Sequence, residues 1–135
     1  MKEARRVLRT SSGVGKYKVE MVLTLVGNDL MAVLSGGDRP HIGAVAVAIP
    51  RPSLKGSGRT SSTSSVFTLI AHKDDEVARK TSEALARELN RVAVVSAGIH
   101  IDNASEADIR KLVQNADKAM KSATKILKRD LKSRP

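Results

Sequence analysis

Residues 74–101, DDEVARKTSEALARELNRVAVVSAGIHI, change period part-way along, and that change decides the fold class. Val77, Thr81, Leu85 and Leu89 recur at helical spacing, with Ala78 and Ala84 beside them. This predicts an amphipathic helix from Asp74 to about Leu89 with one buried stripe. Asp74 stands where it can cap the helix, and Asp75 and Glu76 favour the positive end of its dipole. Asn90 reads as the stop. Val92 to Ile101 then forms an apolar run of strand length.

N-terminal to this unit the pattern is that of strands. Tyr17, Val19, Met21, Leu23 and Leu25 alternate with Lys18, Glu20 and Thr24, as in a half-buried strand from Tyr17 to Val26. Gly27-Asn28-Asp29 is a turn signal and Leu30 to Leu34 resumes the apolar run, so the pair reads as a β-hairpin. IGAVAVAI (Ile42 to Ile49) is apolar on both faces and small in side chain. It suggests a central strand with helices or a partner packed close above it. Pro50 and Pro52 end it, because proline cannot donate to a ladder. Ser53 to Ser65 (SLKGSGRTSSTSS) reads as a long mobile loop, and Ser65 to Ala71 as a further strand.

On the C-terminal side, Ser105 and Asp108 resemble a capping box. A second helix is expected from Glu106 towards Arg129, with Ile109, Leu112, Val113, Ala116, Met120, Ala123 and Leu127 facing inward. Lys111, Lys118, Lys121, Lys125 and Lys128 occupy the other side, and Lys132 to Pro135 is expected to fray. The expected fold is α+β: one domain over residues 1–135, with a single, mostly antiparallel β-sheet flanked by two amphipathic helices.

Composition narrows the function classes. Of 135 residues 41% are hydrophobic, yet Tyr17 and Phe67 are the only aromatics, so the core must be aliphatic. With no cysteine, disulfides, thiolate metal sites and thiol nucleophiles are excluded, in keeping with a reducing, cytoplasmic setting. Met1 to Thr10 carries charge without an apolar run, unlike a signal peptide, and no stretch has the length of a membrane span. The net charge of +10 suits an anionic ligand, nucleic acid or an acidic protein surface, and equally a merely solvated basic surface.

Three polar clusters are candidate sites. In SGGDRPHIG (Ser35 to Gly43), glycines such as Gly37 let backbone N–H groups approach a ligand, and Arg39 and His41 can meet a phosphate or carboxylate. A tight turn explains the same residues. In the serine-rich segment, Arg59, Thr60 and Ser61 can grip a phosphate, or serve a flexible connector. In GIHIDN (Gly98 to Asn103), His100 and Asp102 share one side of a strand that leads into a helix, where sheets often bind ligands. With His72, all three histidines fall at strand ends. A three-histidine metal site is conceivable, but no HxH or HxxxH spacing supports it. No serine sits in GxSxG and no nucleophile is paired with a base, which argues against an enzyme. The missing stacking aromatics argue against nucleic-acid binding.

SGGDRPHIGAVAVA (35–48), GRTSSTSSVFTLIAHKDDEVAR (58–79) and VVSAGIHIDNAS (94–105) together resemble the small D-subunit-like family of gallate-type, prenylated-flavin-dependent decarboxylases. Members of that family are regarded as chaperones for prenylated FMN. The resemblance runs from about Tyr17 to Val113 and implies a domain similar to the small proteasome-assembly chaperones, commonly a homodimer. It implies a non-catalytic role: holding prenylated FMN, or FMN, as cargo and passing it to a decarboxylase apoenzyme. Arg39, His41, Gly43, Arg59, Thr60, Ser61, His72, Lys73, Asp74, Gly98, His100, Asp102 and Asn103 match the family pattern. Of these, Arg39, His41, Arg59, Thr60, Ser61, His72, His100, Asp102 and Asn103, together with Gly37, are the candidate binding residues. Arg59 and its hydroxyl neighbours would hold the phosphate, Arg39 and His41 the ring carbonyls or the phosphate, and the Ala44–Ala48 strand the ring. Two other readings stand beside it: an assembly chaperone that docks an acidic partner on Lys111, Lys118 and Lys125 without a small ligand, and a metal-dependent enzyme.

Overall fold

The computed structural model describes residues 7–69 and 73–132. The chain runs through β1 (Val7–Ser12), a 3-10 turn (Gly15–Tyr17), β2 (Val19–Val26), β3 (Asp29–Gly37), β4 (Ala44–Pro52), β5 (Thr60–Thr68), α1 (Asp74–Leu89), β6 (Ala93–His100) and α2 (Glu106–Lys132). Six strands form one sheet in the order β1-β2-β3-β6-β4-β5. Every neighbouring pair is antiparallel except β3 with β6. The fold is therefore α+β, with a mixed and mostly antiparallel sheet.

Alternation in the strands builds the core. Rows of cross-strand partners such as Met21–Leu34–Ala97–Ala44 and Leu23–Ala32–Val95–Ala46 lie on one face, and all these residues are buried. Both helices cover that face: α1 packs on β4, β5 and β6, and α2 on β1 and β2. Ala44, Ala46 and Ala48 are fully buried. Their small side chains let α1 approach the sheet closely, so they are closed to any ligand ring. Val47 and Ile49 point to the opposite, uncovered face and are exposed.

Two segments depart from expectation. The serine-rich stretch is mostly strand: only residues 53–59 form the loop, and Thr60–Thr68 pairs with β4. Its inward hydroxyls bond α1, Ser62 Oγ donating to the Glu83 carbonyl at 2.9 Å and Ser64 Oγ to Glu83 Oε2 at 2.6 Å. Pro50 and Pro52 lie inside β4 rather than after it. Pairing with β6 stops at Ala48, while pairing with β5 runs on to Pro52. The prolines therefore occupy a half-open stretch where one side needs no donor.

The helix ends follow local chemistry. Asn90 closes α1 in the left-handed conformation, its N–H donating to the Ala86 carbonyl. The α2 capping box is present: the Ser105 N–H donates to Asp108 Oδ2 at 3.0 Å and the Asp108 N–H to Ser105 Oγ at 3.1 Å. The Tyr17 hydroxyl donates to Asp108 Oδ1 at 2.7 Å, and Lys111 sits over the Tyr17 ring. The Ser105 N–H and then the Tyr17 hydroxyl hold the Asp108 carboxyl at about 2, below its ordinary 3.8. Favouring the charged form stabilises the fold above about pH 4 and is lost as pH falls towards 2. Asp108→Asn is therefore expected to lower the melting temperature near neutral pH, with the gap to wild type closing in melts run at successively lower pH across that window. A constant gap would contradict it.

Candidate functional site

The parallel β3–β6 pair sets Gly37 beside His100 and brings two of the three motifs together. The Asp38 and Arg39 N–H groups both donate to the His100 carbonyl, at 2.7 and 3.2 Å, and the Gly43 N–H donates to the Ala97 carbonyl at 2.9 Å. Residues 38–43 thus lie flat over the end of β6. This approach requires glycine: a Cβ on Gly98 would overlap the His41 carbonyl oxygen, and one on Gly37, at φ +80°, would overlap that of His100.

Asp74 is the hub of this corner. Instead of capping α1, whose N-cap is Lys73 without a side-chain bond, its carboxylate turns inward and is 3% exposed. Asp74 Oδ1 accepts the Ile99 N–H at 3.0 Å, and Oδ2 lies 2.9 Å from His41 Nε2. His41 Nδ1 is 3.0 Å from the Arg39 carbonyl. Both ring nitrogens face acceptors, so a proton must lie between Nε2 and Oδ2. An Nε2–H donating to Oδ2 pairs this buried carboxylate from its second oxygen.

A second cluster sits next to it. Asp102 bridges His100 Nε2 at 3.0 Å and Arg39 Nη2 at 3.2 Å. The two imidazoles meet edge to face, their centroids 6.3 Å apart. Asn103 turns the chain into α2 at φ +53°.

Beside this cluster opens a cleft of about 770 Å³ between the N-terminal ends of α1 and α2 and the end of β6. Ile99, Ile101, Leu112 and Val113 are among its apolar walls, and Lys73, Asp74, Asp75, Glu76, His100 and Asn103 stand around them. Its size and lining suit a small organic ligand. The expected inner stripe of α2 opens here: Ile109 is half-buried and Val113 is 36% exposed. An apolar residue at a core period that nothing covers was the available signal for this cleft. Of its lining, only His100 and Asn103 were in the candidate set; Lys73 and Asp74 match the family pattern without being in that set, and Val113 was expected to face inward.

The candidate residues divide. Gly37, Arg39, His41, His100, Asp102 and Asn103 gather at this corner. Arg59, Thr60 and Ser61 do not: Thr60 pairs with Pro52 at the far end of β4, eight residues or about 26 Å from Ala44. They cannot grip the same ligand atom as Arg39 or His41 within one chain. His72 lies outside the described residues. Among the described residues, no three His, Cys, Asp or Glu side chains converge as metal ligands, and no helix is long and apolar enough to cross a membrane.

The pattern that defines the prenylated flavin chaperone LpdD-like domain matches residues 13–128, from the 3-10 turn to the last turns of α2. Protein LpdD of Lactiplantibacillus plantarum is 28% identical over 93 residues, which cover 69% of this chain and 65% of that protein. The three sequence motifs, the corner that two of them build and most of α2 all fall inside the matched span, and the chain belongs to the prenylated-flavin chaperone LpdD-like family.

Proposed function

We propose that this protein is a non-catalytic carrier of prenylated FMN, or a related flavin phosphate, which it delivers to a decarboxylase apoenzyme, and that the cleft at the α1–α2 mouth is the cargo site. The observation that carries this reading is the cleft itself. It is large enough for a flavin, walled by aliphatic side chains, and placed inside the span that matches the family. Ile99, Ile101, Leu112 and Val113 would take the faces of the ring system, which needs no aromatic partner when release is part of the task. His100 and Asn103 would meet the ring's polar edge, and Lys73 the phosphate. Asp102 would act through its neighbours, holding His100 and Arg39 in place. The cluster offers proton-bearing groups but no nucleophile paired with a base, in keeping with cargo that leaves unchanged.

Titration with FMN and with prenylated FMN, followed by flavin absorbance and fluorescence, tests the site against its alternative. The chain has one tyrosine and no tryptophan, so flavin bands stand out. His100→Ala and Val113→Arg are each expected to weaken binding by about tenfold or more, the loss of one good contact. Arg59→Ala at the far end should leave it unchanged. Loss in Arg59→Ala with normal binding in the other two would move the site to the β4–β5 end.

A further inference from the structure

We propose that the groove along the α1–α2 seam docks an acidic amphipathic helix of the recipient apoenzyme. This rests on the carrier reading above and adds how the recipient is met. The groove is a second cavity, of about 850 Å³, that runs on from the cargo cleft: Lys73, Glu76, Val77, Ile109 and Val113 line both. Val77 and Ala84 of α1 and Ala116 and Met120 of α2 form its floor, and all four are buried. Lys73, Lys80 and Arg87 line it as well. They recur every seven residues, so they stand in one row about two turns apart, on the side of α1 that also carries Val77 and Ala84. All three are exposed.

Charge and shape select the occupant. The carboxylates along the groove are already paired within the chain. Glu76 and Glu83 both meet Arg79, Glu88 lies 2.6 Å from Lys128 Nζ, and Asp117 lies 3.0 Å from Lys121 Nζ. The cations of the row are not neutralised in the same way. Lys73 and Lys80 join no ion pair among the described residues, and Arg87 reaches Glu88 only at 3.8 Å. The row therefore holds positive charge that an acidic partner complements. From Lys73 to Glu88 it follows about 22 Å of helix axis, the length of four turns. A helix lying in such a groove buries anchors at i, i+3, i+4 and i+7, and Asp or Glu seven residues apart beside those anchors would match the row. No aromatic lines the groove, so a nucleic-acid strand would find nothing to stack on. A helix seated here touches Lys73, Ile109 and Val113, which brings the recipient to the wall of the cargo cleft.

Calorimetric titration of the whole protein into the apoenzyme of a gallate-type decarboxylase tests the dock. Lys80→Glu with Arg87→Glu is expected to weaken binding about thirtyfold, with an unchanged far-UV circular dichroism spectrum. Lys80→Ala with Arg87→Ala, milder for the helix, is expected to weaken it about fivefold. Lys118→Glu with Lys125→Glu makes the same change in net charge on the outer side of α2 and is expected to bind as wild type does. A loss in that control as large as in the groove variant would overturn the proposal in favour of the outer lysine face or of net charge alone. Undiminished binding by both groove variants, or a wild-type chain that does not bind the apoenzyme, would overturn it outright. Lys80 and Arg87 lie outside the cargo cleft, so flavin titration of the groove variants is expected to match wild type. Weakened flavin binding there would overturn the dock by giving the seam to the cargo itself. Groove-dependent binding of the apoenzyme by a wild-type chain that takes no flavin would fault the cargo reading and leave the dock standing.

Discussion

Gly98→Ala is expected to destabilise the fold by about 3 kcal/mol, the upper range for forcing atoms into a packed site, and to abolish cargo binding with it. The added Cβ meets the backbone carbonyl of His41, not the end of a flexible side chain. Relief therefore requires lifting residues 38–43 off β6, which breaks the bonds from Asp38, Arg39 and Gly43 to that strand. It also pulls His41 away from Asp74. Urea denaturation gives the stability change, and flavin titration of the fraction still folded gives the binding loss. A variant with an unchanged midpoint and normal binding would show that the 38–43 segment is not held as described.

The second large effect separates two substitutions at one position. Asp74→Ala leaves the Ile99 N–H and His41 Nε2 without partners inside the fold, an expected cost of about 3 kcal/mol for a broken buried pair. Asp74→Asn is expected to be far milder. Its amide oxygen can accept the Ile99 N–H and its NH₂ can donate to a neutral His41, whose Nδ1–H still reaches the Arg39 carbonyl. Thermal melts of the two variants side by side check this, together with hydrogen exchange at the Ile99 amide. That amide should be protected in the Asn form and exposed in the Ala form. Equal losses in both would mean that Asp74 matters as a charge and not as a hydrogen-bond hub.

How far the molecule was legible in its sequence depends on what each residue type can signal. The α1 stripe and its Asn90 stop, the β2 alternation and the Ser105–Asp108 box are local patterns with local causes, and each lies where its spacing put it. The strand at Thr60–Thr68 was hidden because its inward positions are serines. Their partner, Glu83, is on another element, and a period of two in hydroxyls carries no apolar contrast. The inward turn of the Asp74 carboxylate was hidden for a related reason. An acidic residue at a helix start satisfies the dipole rule, and only the tertiary approach of His41 and Ile99 turns it inward. The resemblance carried the motifs, but not their arrangement. Which end of the sheet each reaches depends on strand pairing, which unites Arg39 and His41 with His100 and sends Arg59 to the opposite end.

The position of β6 bears on the order in which the chain folds. β1, β2 and β3 form by successive local turns, and β4 with β5 by another, so both halves of the sheet can arise early from short-range pairing. Neither half touches the other. β6, made after both, slots between β3 and β4 and pays the largest loop-closure entropy, its parallel partner lying some 63 residues upstream in the pairing of Leu30 with Ala93. Insertion of this strand is thus the expected slow event, and the cleft comes into being only with it, since Ile99 and His100 arrive on β6. A cargo that binds the cleft would hold the last-placed strand in position, slowing its escape more than it speeds its entry.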